Sequence, residues 1–153
     1  MGMKATAYCD GRGDATGTRG ARAVVLKLPS GVVERAERLQ PCTNIVAEHL
    51  AIQMALEVAL EEGVTELLVY NDSQTPVHQV DGLYKVKQEH LIPLVQRTWE
   101  LGQKFDSVQV RWVPREMTKR PDALCRQIDR EKSGRTRPGG PVPEPVNPFL
   151  RQP

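Results

Sequence analysis

Three segments near the start of the chain have the pattern of β-strands. Residues 4–9 alternate small apolar and polar side chains, and residues 21–28 and 32–39 are predicted to form two more strands. A glycine-rich stretch separates the first two strands, and a Pro-Ser-Gly sequence at residues 29–31 joins the second to the third. Connections this short predict an antiparallel meander.

Beyond Thr43 the apolar residues recur at three- and four-residue steps, which predicts a helix ending at Gly63. The rest of the chain predicts alternating strands and helices: a buried strand at 67–70, a short helix from Asp72 to about Val80, a longer helix over 88–104, a strand at 108–112 and a last helix opened by Pro121. We therefore expect an α/β fold, in which two parallel strands extend three antiparallel ones into a mixed five-stranded sheet flanked by helices.

Composition divides the chain into a folded part and a tail. A hydrophobic content of 39% and a charged content of 26% are typical of a globular protein. Six of the 12 prolines, however, lie at or after residue 138. We expect one domain over residues 1–132 and a proline-rich tail without stable structure over residues 133–153.

Charge and cysteine content indicate what kind of partner and cellular compartment to expect for this protein. A net charge of +2 means that any nucleic-acid-binding surface must be local. The three cysteines lack the spacing of a zinc site, so we expect free thiols in a reducing cytoplasm. No run approaches the ~18 apolar residues that span a bilayer, and the N-terminus lacks a secretory signal. We expect a cytoplasmic monomer with no membrane partner.

Four acidic residues occupy positions where the predicted fold gives them no structural role. Asp10 ends the first strand, Asp72 ends the fourth, Glu48 lies one turn into an apolar helix, and Asp122 lies in the first turn of the last helix. Taken singly, Asp10 could start a turn, Glu48 could face solvent and Asp122 could complement a helix dipole. If the first and fourth strands are adjacent, repulsion between Asp10 and Asp72 calls for a cation. Such oxygen ligands favour Mg²⁺ or Mn²⁺.

Four motifs resemble type 1 ribonuclease H in order and spacing: Tyr8-Cys9-Asp10-Gly11, Thr43-Asn44-Ile45-Val46-Ala47-Glu48, Asn71-Asp72-Ser73, and Pro114-Arg115-Glu116 to Pro121-Asp122-Ala123-Leu124. The resemblance covers roughly residues 4–130. It implies that Asp10, Glu48, Asp72 and Asp122 bind two Mg²⁺ ions, for which Mn²⁺ can substitute. It also implies hydrolysis of the RNA strand of RNA–DNA hybrids, leaving 5′-phosphate and 3′-hydroxyl ends.

The chain also departs from the pattern of this family. Many members have a histidine in the loop before the last aspartate. Here that loop has none, and Arg115 matches a branch that uses arginine instead. The segment over residues 72–88 is too short for the basic handle of some members. Ile45 and Thr16 stand where the family often has asparagines, which weakens the expected minor-groove contacts.

The resemblance and the predicted loops also indicate where a hybrid would bind. The expected contacts are Gly11, Arg12, Gly13, Thr43, Asn44 and Gln74. Thr43 more simply caps the helix. The basic residues that could form local phosphate-binding patches, or could simply be solvated, are Lys85, Lys87, Arg115, Lys119 and Arg120.

The sequence leaves two other functions open. One is a module of the same fold that binds hybrids or nucleic acid without efficient cleavage, which the Ile45 and Thr16 departures permit. The other is a nuclease that acts on double-stranded RNA or structured DNA. Retention of all four carboxylates favours an enzyme over a binding module.

Overall fold

The computed structural model describes residues 2–131, in which five strands form one mixed sheet. The strands are β1 (Lys4–Gly13), β2 (Gly20–Leu28), β3 (Gly31–Arg38), β4 (Glu66–Asn71) and β5 (Ser107–Trp112). Their order across the sheet is β3-β2-β1-β4-β5. The first three strands are antiparallel, while β4 runs parallel to β1 and β5 parallel to β4. The predicted fold class is confirmed, with β1 at the centre.

Four helices cover the two faces of this sheet. They are α1 (Asn44–Glu61), α2 (Gln74–Asp81), α3 (Ile92–Gly102) and α4 (Lys119–Arg130). The main core lies between α1 and the sheet face that carries Ala7, Cys9 and Val69, and α2 and α3 pack beside α1. On the opposite face, α4 packs over the first three strands through Cys125.

Two glycines of β1 bring this strand into backbone contact with α1 and with the residues directly before it. A Cβ atom at Gly11 would lie 2.2 Å from the Ala47 carbonyl oxygen, and one at Gly13 would lie 2.2 Å from the Cys42 carbonyl oxygen. No larger residue fits at either position unless the strand and the helix move apart. These glycines therefore set the spacing between the strand and the helix that carry two of the predicted carboxylates.

The prediction of one continuous helix over residues 88–104 is wrong at its N-terminal end. A 3₁₀ turn at Glu89–Leu91 precedes α3, and Pro93 is the second residue of α3. Pro93 has no N–H group for the α-helical hydrogen bond to the Glu89 carbonyl, so the α-helix begins immediately before the proline.

Two other predicted boundaries differ from the structure. The first strand does not end before the glycine-rich stretch but continues to Gly13, because the backbone of Gly11 and Gly13 still pairs with β2. The last helix begins at Lys119, two residues before the predicted start at Pro121. In both places the backbone continues a regular structure through residues that usually end or begin one.

Some predictions fall wholly or partly outside the described residues. The proline-rich tail over residues 133–153 and the domain boundary at residue 132 both lie there. Within residues 2–131, no helix is long and apolar enough to cross a bilayer. The three cysteines, predicted to be free thiols, are buried and unpaired.

Candidate active site

Three of the four predicted carboxylates meet at one edge of the sheet. One oxygen atom each of Asp10, Glu48 and Asp72 lies within 4.8 Å of the others. Asp10 lies in β1, Glu48 in the second turn of α1, and Asp72 directly after β4. The parallel neighbours β1 and β4 direct their carboxyl ends to the same edge, where open α/β sheets bind ligands.

These carboxylates are poorly solvated. Asp10 is 6% exposed and Glu48 is 8% exposed. Burial, followed by the charges of Asp72 and Asp122, raises the pKa of Asp10 to about 7. Burial and the charge of Asp10 raise the pKa of Glu48 well above its ordinary value. Negative charge in this pocket is therefore costly unless a positive charge enters it.

The donor atoms of the pocket fit a divalent cation. Asp10 Oδ2 is buried and has no hydrogen-bond partner among the described residues, although it is the kind of atom that is normally paired. A cation would satisfy this oxygen and relieve the repulsion among the three carboxylates. An all-carboxylate set is the hard-oxygen chemistry that Mg²⁺ and Mn²⁺ prefer.

Asn71 holds Glu48 in place, a role that the sequence reasoning did not assign. The Asn71 amide is fully buried, and its Nδ2 donates to Glu48 Oε1 at 2.9 Å and to the Cys9 carbonyl oxygen at 3.2 Å. The Gly11 N–H donates to the same Glu48 oxygen at 3.0 Å. Among the described residues no donor reaches the other oxygen of Glu48, which is left to the pocket.

A sequence signal for Asn71 did exist. The alternation in β4 places Leu67, Val69 and Asn71 on the same buried face of the strand. A polar residue at a core position requires a hydrogen-bonding partner, because burying an unpaired amide is costly.

Asp122 lies beside Asp10 and outside the group of three. It sits in the first turn of α4, as predicted. Arg126 Nε donates to Asp122 Oδ2 at 2.9 Å, and Arg12 Nη1 lies 3.9 Å from Asp122 Oδ1. The negative charge of Asp122 contributes to the raised pKa of Asp10. The fourth carboxylate thus borders the pocket with two arginines as counterions.

Arg115 extends into solvent next to the pocket. Its side chain is 86% exposed, and its Nε lies 3.5 Å from Asp72 Oδ2. The same oxygen accepts a hydrogen bond from the hydroxyl of Thr118, a buried residue that follows the 3₁₀ turn Arg115–Met117. No sequence signal distinguishes Thr118 from an ordinary loop threonine.

Several predicted substrate contacts have a structural role in the protein. The Gly11 N–H is bonded to Glu48, and the Gly13 N–H donates to Asn44 Oδ1 at 3.0 Å. Thr43 caps α1 by accepting from the Val46 N–H. The side chains of Thr43 and Asn44 are nevertheless exposed at the start of α1.

The remaining predicted substrate contacts differ in whether their side chains already bind other residues of the protein. Arg12 Nε donates to Asp129 at 3.0 Å, and Arg120 forms two hydrogen bonds of 2.8 Å with Glu34. Gln74 is exposed at the first residue of α2. The other predicted basic contacts are also exposed: Lys85, Lys87 and Lys119. Arg12 and Arg120 are therefore already engaged by carboxylates, as Arg115 is by Asp72.

Residues 9–128 match the family model described as "Reverse transcriptase-like". A bifunctional protein of Mycobacterium tuberculosis is 33% identical over 127 residues, which cover 80% of this chain and 35% of that protein. Ribonuclease HI of Halobacterium salinarum is 32% identical over 130 residues, which cover 82% of this chain and 64% of that enzyme. The chain thus spans only part of the length of the curated relatives that it matches.

Solved structures show the same architecture. The crystal structure of RNase H1 from Halobacterium salinarum has a TM-score of 0.80 at 29% identity, covering 84% of this chain and 98% of that one. LC11-RNase H1, crystallised with an RNA/DNA hybrid, has a TM-score of 0.77 at 26% identity, covering 84% of this chain and 99% of that one.

Proposed function

We propose, because the chain belongs to the reverse transcriptase-like family and is similar in structure to ribonucleases H1, that it is an endonuclease acting on RNA–DNA hybrids. It hydrolyses the RNA strand with two bound Mg²⁺ ions and leaves 5′-phosphate and 3′-hydroxyl ends. One observation carries the proposal: Asp10, Glu48 and Asp72, from three separate elements, converge within 4.8 Å in a poorly solvated pocket.

The substrate is proposed from the relatives and from the surroundings of the pocket. One relative is named ribonuclease HI, and one structural neighbour was crystallised with an RNA/DNA hybrid. The side chains of Thr43 and Asn44 at the start of α1, and of Gln74 at the start of α2, are exposed and can contact the sugars and phosphates of a duplex. Their contacts to the RNA strand distinguish a hybrid from duplex DNA through its 2′-hydroxyl groups.

Different residues of the chain have different roles in the proposed reaction. Asp10, Glu48 and Asp72 would hold the ions, with Asp122 at the border of the pocket. When bound, Mg²⁺ would lower the pKa of the water molecule that acts as the nucleophile and would stabilise the leaving oxygen. Arg115, 86% exposed and still 3.5 Å from Asp72, is placed to contact a phosphate of the substrate.

The alternative functions are separated by substrate rather than by structure. A binding module would retain affinity for a hybrid without cleaving it, and a nuclease for double-stranded RNA or structured DNA would prefer those duplexes. Action as a monomer in the cytoplasm stays a prediction of the sequence.

The test is a cleavage assay with three labelled duplexes of one sequence: an RNA–DNA hybrid, duplex RNA and duplex DNA. We expect the full chain to cleave only the RNA strand of the hybrid, to need Mg²⁺ or Mn²⁺, and to lose this cleavage with EDTA. Asp72→Asn removes one metal-binding charge and reduces cleavage to background.

Asp106→Asn is the matched control, because Asp106 is exposed in the loop before β5, away from the pocket. We expect this variant to cleave at the wild-type rate. Hybrid binding without cleavage at any metal concentration would replace the proposal with the binding module, and preferential cleavage of duplex RNA or DNA would replace it with the other nuclease.

A further inference from the structure

The hydroxyl group of Thr118 is buried against a carboxylate of the pocket. Thr118 has no exposed surface, and its Oγ1 lies 2.9 Å from Asp72 Oδ2, across 46 residues of sequence. The residue lies between the 3₁₀ turn that starts at Arg115 and the first residue of α4. It therefore connects the loop before the last helix to the end of a central strand.

The direction of this hydrogen bond follows from counting protons. A threonine hydroxyl has one proton to donate, and two acceptors lie within reach: Asp72 Oδ2 at 2.9 Å and the Arg115 carbonyl oxygen at 3.2 Å. The Arg115 carbonyl already accepts from the Thr118 backbone N–H at 3.0 Å. The carboxylate is the closer and the stronger acceptor, so the hydroxyl proton points to Asp72.

This bond fixes the orientation of the Asp72 carboxylate and leaves its other oxygen without a donor. Oδ2 is held by the Thr118 hydroxyl and by Arg115 Nε at 3.5 Å, whereas no donor among residues 2–131 reaches Oδ1. The main chain of the same residue is fixed as well, because Trp112 Nε1 donates to the Asp72 carbonyl oxygen at 3.0 Å. Rotation of the carboxylate would break the bond to Thr118.

We propose that Thr118 is a positioning residue of this active site: its hydroxyl fixes the Asp72 carboxylate so that Oδ1 is presented to the metal ions, and it anchors the Arg115 turn to the same carboxylate. The inference rests on the proposed function, because it assigns Asp72 as a metal ligand. Partners that orient metal ligands in this way contribute about 10- to 100-fold to metal affinity or activity.

The experiment compares four forms of the full chain: wild type, Thr118→Val, Thr118→Ser and Thr98→Val. Thr98 is the matched control, because it is also a buried threonine but donates to the Leu94 carbonyl within α3. Each form is measured for Mn²⁺ affinity by electron paramagnetic resonance, for kcat and KM on the labelled hybrid, and for thermal unfolding.

For Thr118→Val we expect weaker Mn²⁺ binding and a kcat about 10- to 100-fold lower, with KM for the hybrid nearly unchanged. Thr118→Ser keeps the hydroxyl and retains the wild-type values, and Thr98→Val leaves kcat and Mn²⁺ affinity unchanged whatever its effect on stability. If Thr118→Val does not fold by circular dichroism, Thr118→Ala takes its place in the comparison.

Wild-type kcat and Mn²⁺ affinity in the variant without the hydroxyl would overturn the inference, as would a failure of Thr118→Ser to retain them. The two proposals can fail separately. If the wild type cleaves no duplex, the proposed function fails, and the Mn²⁺ affinities of wild type and variant still decide whether Thr118 positions Asp72.

Discussion

At the end of β4, the Asn71 side chain places a neutral amide between a buried carboxylate and a strand carbonyl. It donates to Glu48 Oε1 at 2.9 Å and to the Cys9 carbonyl oxygen at 3.2 Å. Hydrogen bonds to charged groups stabilise proteins by about 1.5–3 kcal/mol. Asn71 thus offsets part of the cost of burying Glu48 and leaves one Glu48 oxygen for the pocket.

Replacing this amide by a carboxylate of the same shape tests its role. In Asn71→Asp the donor is lost and a negative charge faces Glu48, so we expect the free energy of unfolding in EDTA to fall by about 3 kcal/mol or more. Saturating Mg²⁺ should recover part of the loss, because a bound cation offsets the added charge. Urea unfolding with EDTA and with Mg²⁺ measures both effects.

The control for this prediction is Asn44→Asp. Asn44 is exposed, and its Oδ1 accepts from the Gly13 N–H, a bond that a carboxylate can also accept. We expect its stability to stay within about 0.5 kcal/mol of wild type. An equal loss in both variants would show that Asn71 has no special part in supporting Glu48.

The convergence of Asp10, Glu48 and Asp72 could be predicted from sequence, whereas most of the residues that support them could not. Asp10 and Asp72 stand out because each ends a predicted strand, and Glu48 stands out because it lies within an otherwise apolar helix. Thr118 does not stand out, since its importance depends on a partner 46 residues away. A carboxylate at a core position is unusual in itself, but a threonine in a loop is informative only once the fold has placed it beside Asp72.

Among the elements, β1 and α1 matter most for the pocket, because their backbones touch. The contact exists because Gly11 has no side chain: a Cβ atom there would lie 2.2 Å from the Ala47 carbonyl oxygen. Asp10 and Glu48 flank this contact, one on each element. The distance between the two carboxylates therefore depends on how closely the strand and the helix approach.

Gly11→Ala forces this strand and helix apart. We expect a loss of about 2–3 kcal/mol in the free energy of unfolding and weaker Mn²⁺ binding, because overpacking shifts the backbones that carry Asp10 and Glu48. Urea unfolding and a Mn²⁺ titration measure the two effects. Gly63→Asn, just beyond α1, is the control: Gly63 has φ of +82° and open space around it, and asparagine tolerates that conformation. Unchanged Mn²⁺ affinity in Gly11→Ala would contradict the argument.

Periodicity predicted the elements well, and it failed where backbone chemistry decides. Patterns of apolar residues located all five strands and the long helix α1, including an alternation in β1, a continuous apolar run in β4 and three- to four-residue steps in α1. The same patterns could not show that Pro93 separates α3 from a 3₁₀ turn, or that β1 continues through Gly11 and Gly13. Those outcomes depend on backbone hydrogen bonds, which apolar spacing does not report.

Across the whole molecule, a net charge of +2 hides a strong local imbalance. One edge of the sheet gathers three carboxylates in a buried pocket, with Asp122 at its border. Arginines stand around this edge: Arg12 and Arg126 beside Asp122, and Arg115 beside Asp72. The positive charges lie at the rim, so they do not neutralise the interior. Without a metal, the buried carboxylates therefore lower the stability of the folded protein by an amount that depends on pH.

Burial of these carboxylates predicts an unusual dependence of stability on pH in the absence of metal. The pKa of Asp10 is raised from 3.8 to about 7 by burial and by the charges of Asp72 and Asp122, and the pKa of Glu48 is raised in the same direction. Between pH 3.8 and about pH 7, Asp10 keeps its proton in the folded protein but has lost it in the unfolded chain. Stability from this source is complete below about pH 4 and is lost as the pH rises through 7. We expect Tm in EDTA to fall by several degrees from pH 6 to pH 8.

Another buried group opposes this trend, and the experiment must separate the two. Burial lowers the pKa of His49 from 6.5, so His49 adds stability as the pH rises toward 6.5. Wild type and Asp10→Asn share His49, so the difference between their Tm values in EDTA isolates the carboxylate contribution.

We expect Asp10→Asn to be the more stable protein at pH 8, and its advantage to shrink toward pH 5. With Mg²⁺ the wild type should reverse its behaviour and gain most at pH 8, because only deprotonated carboxylates bind the cation. A Tm difference between the two proteins that does not change with pH would mean that Asp10 is not protonated near neutrality, and that the pocket tolerates its charge without a metal.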